Sequence, residues 1–221
     1  MQTSFDEIYA ENTFDPALAQ VLLDNHKPVV RNDFHLSGAE RILVVTGPNN
    51  GGKTTFARTF GQLAYLAALG CPVPGTRAAL LLSDRLFTHF ERREHVGTLH
   101  GKLDTELLRI RDILANATSS SVIVMNESFS STTATDAADI AADVLREIGK
   151  RGATAVFVTF LDELSALDDT TVSMVGDMRP DDPAARTYRF TRRPADGLAY
   201  AQAVARRYGL TYAAIREQVA G

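Results

Sequence analysis

The chain has 221 residues, which is long enough for one α/β domain with a substantial core or for two small domains. Its composition, 45% hydrophobic and 23% charged, is typical of a soluble globular protein, and no apolar run approaches the ~20 residues that cross a bilayer. A formal net charge of −4 argues against strong DNA binding by this chain alone. We therefore predict no membrane segment, and any nucleic-acid contact would come from a local patch or from other domains.

The N-terminal segment and the cysteine content both favour a reducing compartment. Residues 1–12 lack the basic start and the apolar middle of a secretory signal, so we expect a cytoplasmic protein. The single Cys71 can form no internal disulfide. We interpret Cys71 as a small buried residue rather than as a nucleophile.

Hydrophobic periodicity predicts strands that alternate with helices along the chain. A short helix follows Asp15-Pro16, with Leu18, Val21 and Leu22 on one face. Further helices are predicted at residues 55–69, 104–117, 134–150, 197–208 and 212–219. Extended segments are predicted at residues 28–30, 33–36, 41–46, 78–82, 85–90, 122–125, 153–159, 171–175 and 186–191. This alternation is typical of a mostly parallel sheet flanked by helices.

A glycine-rich loop lies between the strand at 41–46 and the helix that follows. It contains GPNNGGKT, a full match to the phosphate-binding pattern GxxxxGK(S/T). In such a loop, backbone amides surround a nucleotide's β-phosphate and the helix directs its positive end at the phosphates. The predicted nucleotide-binding residues are Gly47, Pro48, Asn49, Asn50, Gly51, Gly52, Lys53, Thr54 and Thr55. Lys53 would neutralise phosphate charge and the Thr54 hydroxyl would ligate Mg²⁺, unless the match is an accidental glycine turn.

Two polar residues follow the buried strand at 122–125. A nucleotide-hydrolysing site needs a group that holds the hydrated metal and a base that orients the attacking water. Asn126 and Glu127 stand at the carboxyl end of the strand, where doubly wound sheets bind ligands. We predict that Asn126 contacts the metal and that Glu127 is catalytic together with Lys53; the alternative for Glu127 is a surface carboxylate.

Several blocks of the sequence resemble the C-terminal ATPase domain of the MutS family of DNA mismatch-repair proteins, a relative of ABC-type ATPases. The wording TGPNNGGKTT, with Pro-Asn ahead of the double glycine, is more specific than a generic phosphate loop. The other similar blocks lie at residues 69–74, 84–88, 116–118, 125–127 and 208–210. The resemblance runs from about residue 28 to residue 209. It implies an ATP site with Mg²⁺ and a dimer in which each nucleotide lies between two subunits.

Departures from the family's pattern bear on activity. The family usually has Asp where this chain has Asn126, a neutral amide that can still accept hydrogen bonds from metal-bound water. Glu127 is retained as the residue that orients water. The family's His after the third buried strand, which senses the γ-phosphate, is replaced by Phe160, which cannot donate a hydrogen bond. The resemblance therefore implies a Mg²⁺-dependent ATPase whose turnover is weak.

Two further expectations rest on position relative to the family's motifs. The family's signature serine, which reaches the partner's γ-phosphate, falls near Gly101 and Lys102. The serine is missing, but the amides at the next helix start and the Lys102 charge could serve the same purpose; exposed loop residues are the alternative. Phe34 lies where the family carries an aromatic that stacks on adenine, and core packing is the alternative.

These expectations combine into one architecture. We predict an α/β, ABC-ATPase-like P-loop NTPase fold with a small N-terminal β/helical extension. Residues 1–40 would form the extension, 41–210 the MutS-like ATPase domain and 211–221 a C-terminal helix of the same domain. The resemblance implies a homodimer with composite ATP sites and mismatched DNA bound through domains that these residues do not include. The chain is thus expected to be a fragment of a longer protein or a stand-alone relative.

Functions of different classes remain open at this point. The first is an ATP-hydrolysing module that couples nucleotide state to dimerisation and to DNA-related motion. The second is a nucleotide-gated interaction module with little or no turnover, favoured by Asn126 and Phe160. A transporter or chromosome-cohesion ATPase would need an LSGGQ-like signature and a glutamine-containing loop, and neither is found in the sequence. A kinase would need an acceptor site that we do not recognise.

Overall fold

The structure, a computed structural model, describes residues 7–90, 101–179, 185–195, 197, 208–212 and 215–216. The strands are β1 Glu7–Thr13, β2 Asn32–Ser37, β3 Ile42–Thr46, β4 Arg77–Ala79, β5 Leu86–Phe90, β6 Val122–Asn126, β7 Thr154–Val158, β8 Thr171–Met178 and β9 Arg186–Arg192. The α-helices are α1 Pro16–Asp24, α2 Lys53–Ala68, α3 Lys102–Asn116 and α4 Ala134–Arg151. A short 3-10 helix lies at Asp162–Ala166.

A six-stranded sheet forms the centre of the described fold, in the order β5-β6-β7-β3-β8-β9. All neighbours are parallel except β8 and β9, which are antiparallel. Every residue of β3, β6 and β7 is buried, as expected of parallel strands covered on both faces. The predicted α/β fold with a mostly parallel, helix-flanked sheet is confirmed. Parallel strands also bring their carboxyl ends to one edge, so the glycine loop after β3 and Glu127 after β6 share that edge.

The two faces of the sheet carry separate hydrophobic clusters. α2 covers the first face, where Phe56, Phe60 and Leu63 pack among inward side chains of the central strands. α3 and α4 cover the second face, where α4 contributes Leu145 and Ile148. The spacing of these residues places each set on one side of its helix, which is why periodicity located the helices correctly.

A second, three-stranded antiparallel sheet has the order β2-β1-β4. β1 was missed by the sequence analysis, because only alternate positions such as Ile8 and Ala10 are buried and the others are polar. β4 follows α2 in the chain, so this sheet is built from both sides of the glycine loop. Its buried residues belong to the same hydrophobic cluster as α2. The division at residue 40 stays a prediction, but no separate core accompanies it among the described residues.

The short helix predicted after Asp15-Pro16 is confirmed as α1, in which Leu18 and Val21 are 36% and 56% exposed and Ala19 is buried. The carboxylate of Asp15 caps the N-terminus of α1 at Leu18 N (3.0 Å) and pairs with Arg58 of α2. One sequence expectation was wrong: Cys71 is exposed and not buried, because it follows the end of α2 in an open turn.

The remaining outcomes concern the ends of elements. α2 and α3 each begin two residues before the predicted start, at Lys53 and Lys102. Residues 28–30, predicted as a short extended segment, belong to no strand. Most residues of the predicted helices at 197–208 and 212–219 lie outside the described part of the chain. His100, which directly precedes the predicted signature residues Gly101 and Lys102, also lies outside it. Within the described part of the chain, no helix is both long enough and apolar enough to cross a membrane.

Candidate functional site

The glycine loop, residues 47–52, needs glycine at specific positions. Gly47 has φ +126°, and a Cβ there would lie 2.9 Å from the backbone nitrogen of Gly176 on β8. A Cβ on Gly51 would lie 2.8 Å from the carbonyl oxygen of Pro48, whose oxygen also accepts a hydrogen bond from Gly51 N (3.1 Å). Side chains at these positions would therefore open the turn and push the loop away from the neighbouring strand.

The start of α2 presents backbone donors to the space in front of the loop. Gly52, at the N-cap with φ +95°, has no side chain to cap the helix, and the first turn holds no acidic residue. The first helical hydrogen bond joins Phe56 N to Gly52 O (2.9 Å), so the amides of the three preceding residues have no partner within the helix. Together with the helix dipole, these amides make a binding position for an anion.

Lys53 is folded back against the loop. Its Nζ donates to the carbonyl oxygens of Gly47 (2.9 Å) and Pro48 (3.2 Å), and the residue is only 4% exposed. Burial lowers the pKa of the Lys53 ammonium, while the negative charge of Glu127 opposes the shift. Lys53 and Glu127 both line the cavity that lies against the loop.

Arg186 links the loop to the last strand of the central sheet. Its Nε donates to the carbonyl oxygen of Asn49 (2.8 Å). Its charge also contributes to lowering the pKa of Lys53, after burial. The loop is thus held from β9 by a second cation, which the sequence analysis did not identify because β9 lies far along the chain.

The two residues predicted at the carboxyl end of β6, Asn126 and Glu127, differ in their exposure to the cavity. Asn126 is the last residue of the strand and 7% exposed, and its Oδ1 is buried without a hydrogen-bond partner. Glu127 follows in a left-handed conformation, φ +52°, and its amide donates to Val158 O (3.0 Å). The turn directs Glu127 into the cavity described next, while Asn126 stays behind it in the sheet.

A cavity of about 1110 Å³ lies against the loop. The predicted residues that line it are Asn49, Asn50, Gly51, Gly52, Lys53, Thr54, Thr55, Glu127 and Phe34. Gly47 and Pro48 form the back of the loop instead. The cavity is also lined by the N-terminal segment, including Pro28, Val29 and Val30, and by Tyr188 of β9. The volume is ample for a nucleotide, since ligand sites are commonly about 300–1,000 Å³.

Phe34 contributes little free ring surface to this cavity. It is 5% exposed and its ring packs against Phe60, with the ring centroids 5.0 Å apart. That geometry favours the core-packing alternative over base stacking. Tyr188 is the better placed aromatic: it is 49% exposed and stands beside Gly52, 3.4 Å from the position of a built Cβ. Tyr188 has a positive φ, 58°, and this unusual backbone conformation cannot be predicted from the sequence.

A buried polar link supports the turn after Glu127. Glu106 of α3 is 8% exposed, and its Oε1 accepts hydrogen bonds from Phe129 N (3.1 Å) and from His89 Nε2 (3.1 Å). Phe129 also has a positive φ, +66°, so an unfavourable backbone conformation is stabilised there. The sequence analysis missed Glu106, although its position four residues before Ile110 places a carboxylate on the apolar face of α3.

The predicted signature residues lie elsewhere. Gly101 caps the N-terminus of α3 and is exposed, and Lys102 begins the helix; neither lines the cavity. Asp104 stands in the first turn, and a Cβ built on Gly101 would lie 3.9 Å from its Oδ2. This helix start therefore already carries a negative charge, which weakens its attraction for a phosphate.

The groups present fit a magnesium nucleotide better than a metal held by protein alone. Among the residues that the structure describes, no three His, Cys, Asp or Glu side chains could hold a metal together. The exposed Thr54 and the unpartnered oxygens of Asn126 and Thr46 are suited to a cation that keeps its own waters. The amides at the start of α2, which have no partner within the helix, can donate to phosphate oxygens.

Known proteins show where this sequence belongs. The family model described as MutS domain V matches residues 43–215. The chain is 35% identical to the DNA mismatch repair protein MutS of Chlorobium phaeovibrioides over 155 residues, which are 70% of this chain and 18% of that protein. Identity is 30% over 186 residues to MutS of Thermotoga maritima, covering 84% of this chain and 23% of that protein. It is 36% over 156 residues to the DNA mismatch repair protein MSH3 of Phaeosphaeria nodorum, covering 70% and 14%.

The chain thus spans less than a quarter of the length of each of these relatives. The similarity concerns one region of much longer proteins. That region contains the glycine loop, Glu127 and the sheet edge on which they meet. Because the family model covers well over half of its residues, this chain belongs to the MutS family, and the matching part is domain V.

Proposed function

We propose that this chain binds ATP with Mg²⁺ and hydrolyses it slowly, as the nucleotide-binding domain of a MutS-like mismatch-repair protein. One observation carries the proposal: the glycine loop, the uncapped start of α2, Lys53 and Glu127 all face a single cavity. Loop amides and a lysine recognise phosphate, and a carboxylate that lines the same cavity can act on water. The same arrangement supports a P-loop NTPase of the ABC-like group.

The phosphates would be held by the loop and the first turn of α2. The amides of residues 50–55 face the β-phosphate, and the Lys53 ammonium neutralises charge at the β- and γ-phosphates. Gly47 and Gly51 keep the loop tight, since a Cβ at either position would collide with backbone atoms of the protein itself. A bound Mg²⁺ would polarise the phosphate oxygens and neutralise developing charge.

Metal contact would fall to two residues of the chain. The Thr54 hydroxyl is exposed at the cavity and can ligate the ion directly. Asn126 lies further back, so its unpartnered Oδ1 would accept a hydrogen bond from metal-bound water and not bind the ion itself. A neutral amide attracts the cation less than a carboxylate would, so we expect weaker Mg²⁺ binding.

The base and ribose would lie along the apolar part of the cavity. Pro28, Val29 and Val30 provide an apolar wall of the cavity, and Tyr188 provides an exposed aromatic face. This arrangement replaces Phe34 as the proposed stacking residue. The wall offers surface to any base, so base selectivity would rest on few hydrogen bonds.

Glu127 would orient and deprotonate the attacking water. Its left-handed backbone is stabilised on one side by the Glu127 N to Val158 O bond and on the other by Glu106, through Phe129 N. Glu106 thus serves as a positioning residue in this proposal. Phe160 contributes no donor to the γ-phosphate, which is one reason to expect slow hydrolysis.

Dimerisation and DNA contact extend the proposal beyond the chain itself. Each ATP would be covered by the Gly101–Lys102 helix start of a second subunit, with Lys102 compensating for the nearby Asp104. Mismatched DNA would be bound through regions that these residues do not include, as the names of the relatives suggest. ATP-driven dimerisation would then couple nucleotide state to DNA binding. A cytoplasmic location agrees with this role.

A second function is favoured by two substitutions in the site. Asn126 removes a charge from the metal position, and Phe160 removes a hydrogen-bond donor from the γ-phosphate position. With both, the chain would act as a nucleotide-gated interaction module that binds ATP and dimerises without appreciable turnover. The two functions differ only in the fate of the bound triphosphate.

The decisive experiment measures ATP binding by calorimetry and phosphate release on the same samples. Lys53→Ala should weaken ATP binding about 10- to 100-fold, because charge-assisted hydrogen bonds are worth about 1.5–3 kcal/mol. Glu127→Gln should bind normally and release little phosphate. Lys150→Ala is the matched control: it is an exposed lysine near the end of α4, at the opposite edge of the sheet.

Three results would decide between the alternatives. Equal ATP binding by the wild type and Lys53→Ala, or no binding at all, would refute the site. Binding and ATP-dependent dimerisation with no release above that of Glu127→Gln would favour the interaction module. Release that falls in Glu127→Gln but persists in the Lys150→Ala control would support the ATPase.

A further inference from the structure

Phe160 lies directly over the ammonium of Lys53. The Lys53 Nζ is 4.3 Å from the centroid of the Phe160 ring. Two of its three protons are already donated to the carbonyl oxygens of Gly47 and Pro48. The ring therefore occupies the remaining side of the ammonium, and a cation over an aromatic face is an attractive contact.

The backbone around Phe160 is fixed while its ring is not enclosed. Thr159 N donates to Val45 O (3.1 Å), and Leu161 N donates to the Thr159 hydroxyl (3.0 Å), so the turn after β7 is held on both sides of Phe160. The side chain itself is 54% exposed and lines the cavity. Apolar packing does not explain the position of such an exposed ring, whereas the contact with Lys53 does.

The ring stands where a phosphate oxygen would have to approach Lys53. The β-phosphate also receives hydrogen bonds from the loop and helix amides, so it depends less on the ammonium than the γ-phosphate does. A γ-phosphate lies further out and needs the lysine for charge neutralisation. A triphosphate must therefore displace the ring and lose its contact with the cation, while a diphosphate need not.

We propose that Phe160 is a specificity-determining residue that covers the Lys53 ammonium and makes the site favour nucleoside diphosphates over triphosphates. The proposal rests on the nucleotide site described under Proposed function and concerns the preference of that site. Phe160 neither holds the metal nor acts on water. Triphosphate enters only when the ring swings into the open cavity.

The test compares the affinities of the Mg²⁺ complexes of ADP and a non-hydrolysable ATP analogue, by calorimetry, in the wild type and in Phe160→Ala. The wild type should bind ADP more tightly. The alanine variant should bind the triphosphate about 2- to 30-fold more tightly, the fold-change that corresponds to a cation–π contact of about 0.5–2 kcal/mol, with ADP affinity changed less than about twofold. Phe160→Leu should behave like Phe160→Ala, because leucine has no aromatic face.

Tyr65→Ala is the matched control, since Tyr65 is an aromatic residue of α2 that is 55% exposed and does not line the cavity. An unchanged diphosphate-to-triphosphate ratio in Phe160→Ala would overturn the proposal, and so would a Phe160→Leu variant that kept the wild-type ratio. Equal weakening of both nucleotides would also overturn it, because the ring would then be an ordinary binding contact. Failure of every variant to bind either nucleotide would refute the nucleotide site itself, a different outcome.

Discussion

Replacing Gly47 by alanine tests whether the glycine loop has the tight geometry that phosphate binding needs. Gly47 has φ +126°, outside the regions that residues with a Cβ adopt readily, and the added Cβ would lie 2.9 Å from Gly176 N and 3.0 Å from Gly176 Cα. Both atoms are backbone of β8, which is held in the sheet between β3 and β9. The collision cannot be relieved by rotating a side chain.

Two terms contribute to the loss of stability. The backbone conformation costs about 1–3 kcal/mol for a residue other than glycine. The overpacking against β8 costs about 1–3 kcal/mol more. Gly70→Ala is the matched control, because Gly70 also has a positive φ, +70°, but a Cβ there meets nothing within 4 Å. The control should lose only about 1–2 kcal/mol, the cost of the left-handed conformation.

The assay is urea unfolding of both variants, followed by calorimetry with ADP. Gly47→Ala should be destabilised by about 2–6 kcal/mol, more than the control, and should lose nucleotide binding while still folded. Gly70→Ala should bind as the wild type does. A Gly47→Ala variant that is no less stable than Gly70→Ala and still binds ADP would refute the loop geometry, because the predicted collision would then not exist.

Two further predictions concern buried carboxylates. Burial alone would raise the pKa of Asp15, but hydrogen bonds from Leu18 N and Arg58 outweigh burial, and the pKa is lowered. Asp15→Asn should therefore lower the free energy of unfolding by about 1–3 kcal/mol at pH 7, measured by urea unfolding. The difference between variant and wild type should shrink as the pH falls below about 4, through the folded-state pKa, and a difference independent of pH would contradict the ion pair. Glu106→Ala removes the acceptor of Phe129 N, so it should lower the free energy of unfolding by about 1–3 kcal/mol and slow phosphate release more than it weakens ATP binding. Glu106→Gln retains an acceptor and should have a milder effect. Identical behaviour of the two variants would argue against the positioning role.

The order of elements and the position of the glycine loop could be predicted because they depend on local patterns. The continuous apolar stretches at β3, β6 and β7 indicate strands that are covered on both faces. The glycines, Lys53 and Thr54 are adjacent in the chain, so their spacing is sufficient to suggest the phosphate site proposed here. Parallel pairing then places Glu127 at the same edge. β1 escaped detection, because half of its residues are polar and its burial depends on a sheet completed by β4.

Sequence alone determined the α/β class, the stretches that resemble the MutS family and the loop at the end of β3, since each is a property of neighbouring residues. Tertiary structure alone decided which side chains meet: Phe34 packs on Phe60, Glu106 accepts from Phe129 N, and Phe160 covers Lys53. Periodicity tells which face of an element is buried, but not which distant residue fills that face. The contacts that set the chemistry of this site join residues far apart in the chain, and only the packing of helices and loops around the sheet brings them together.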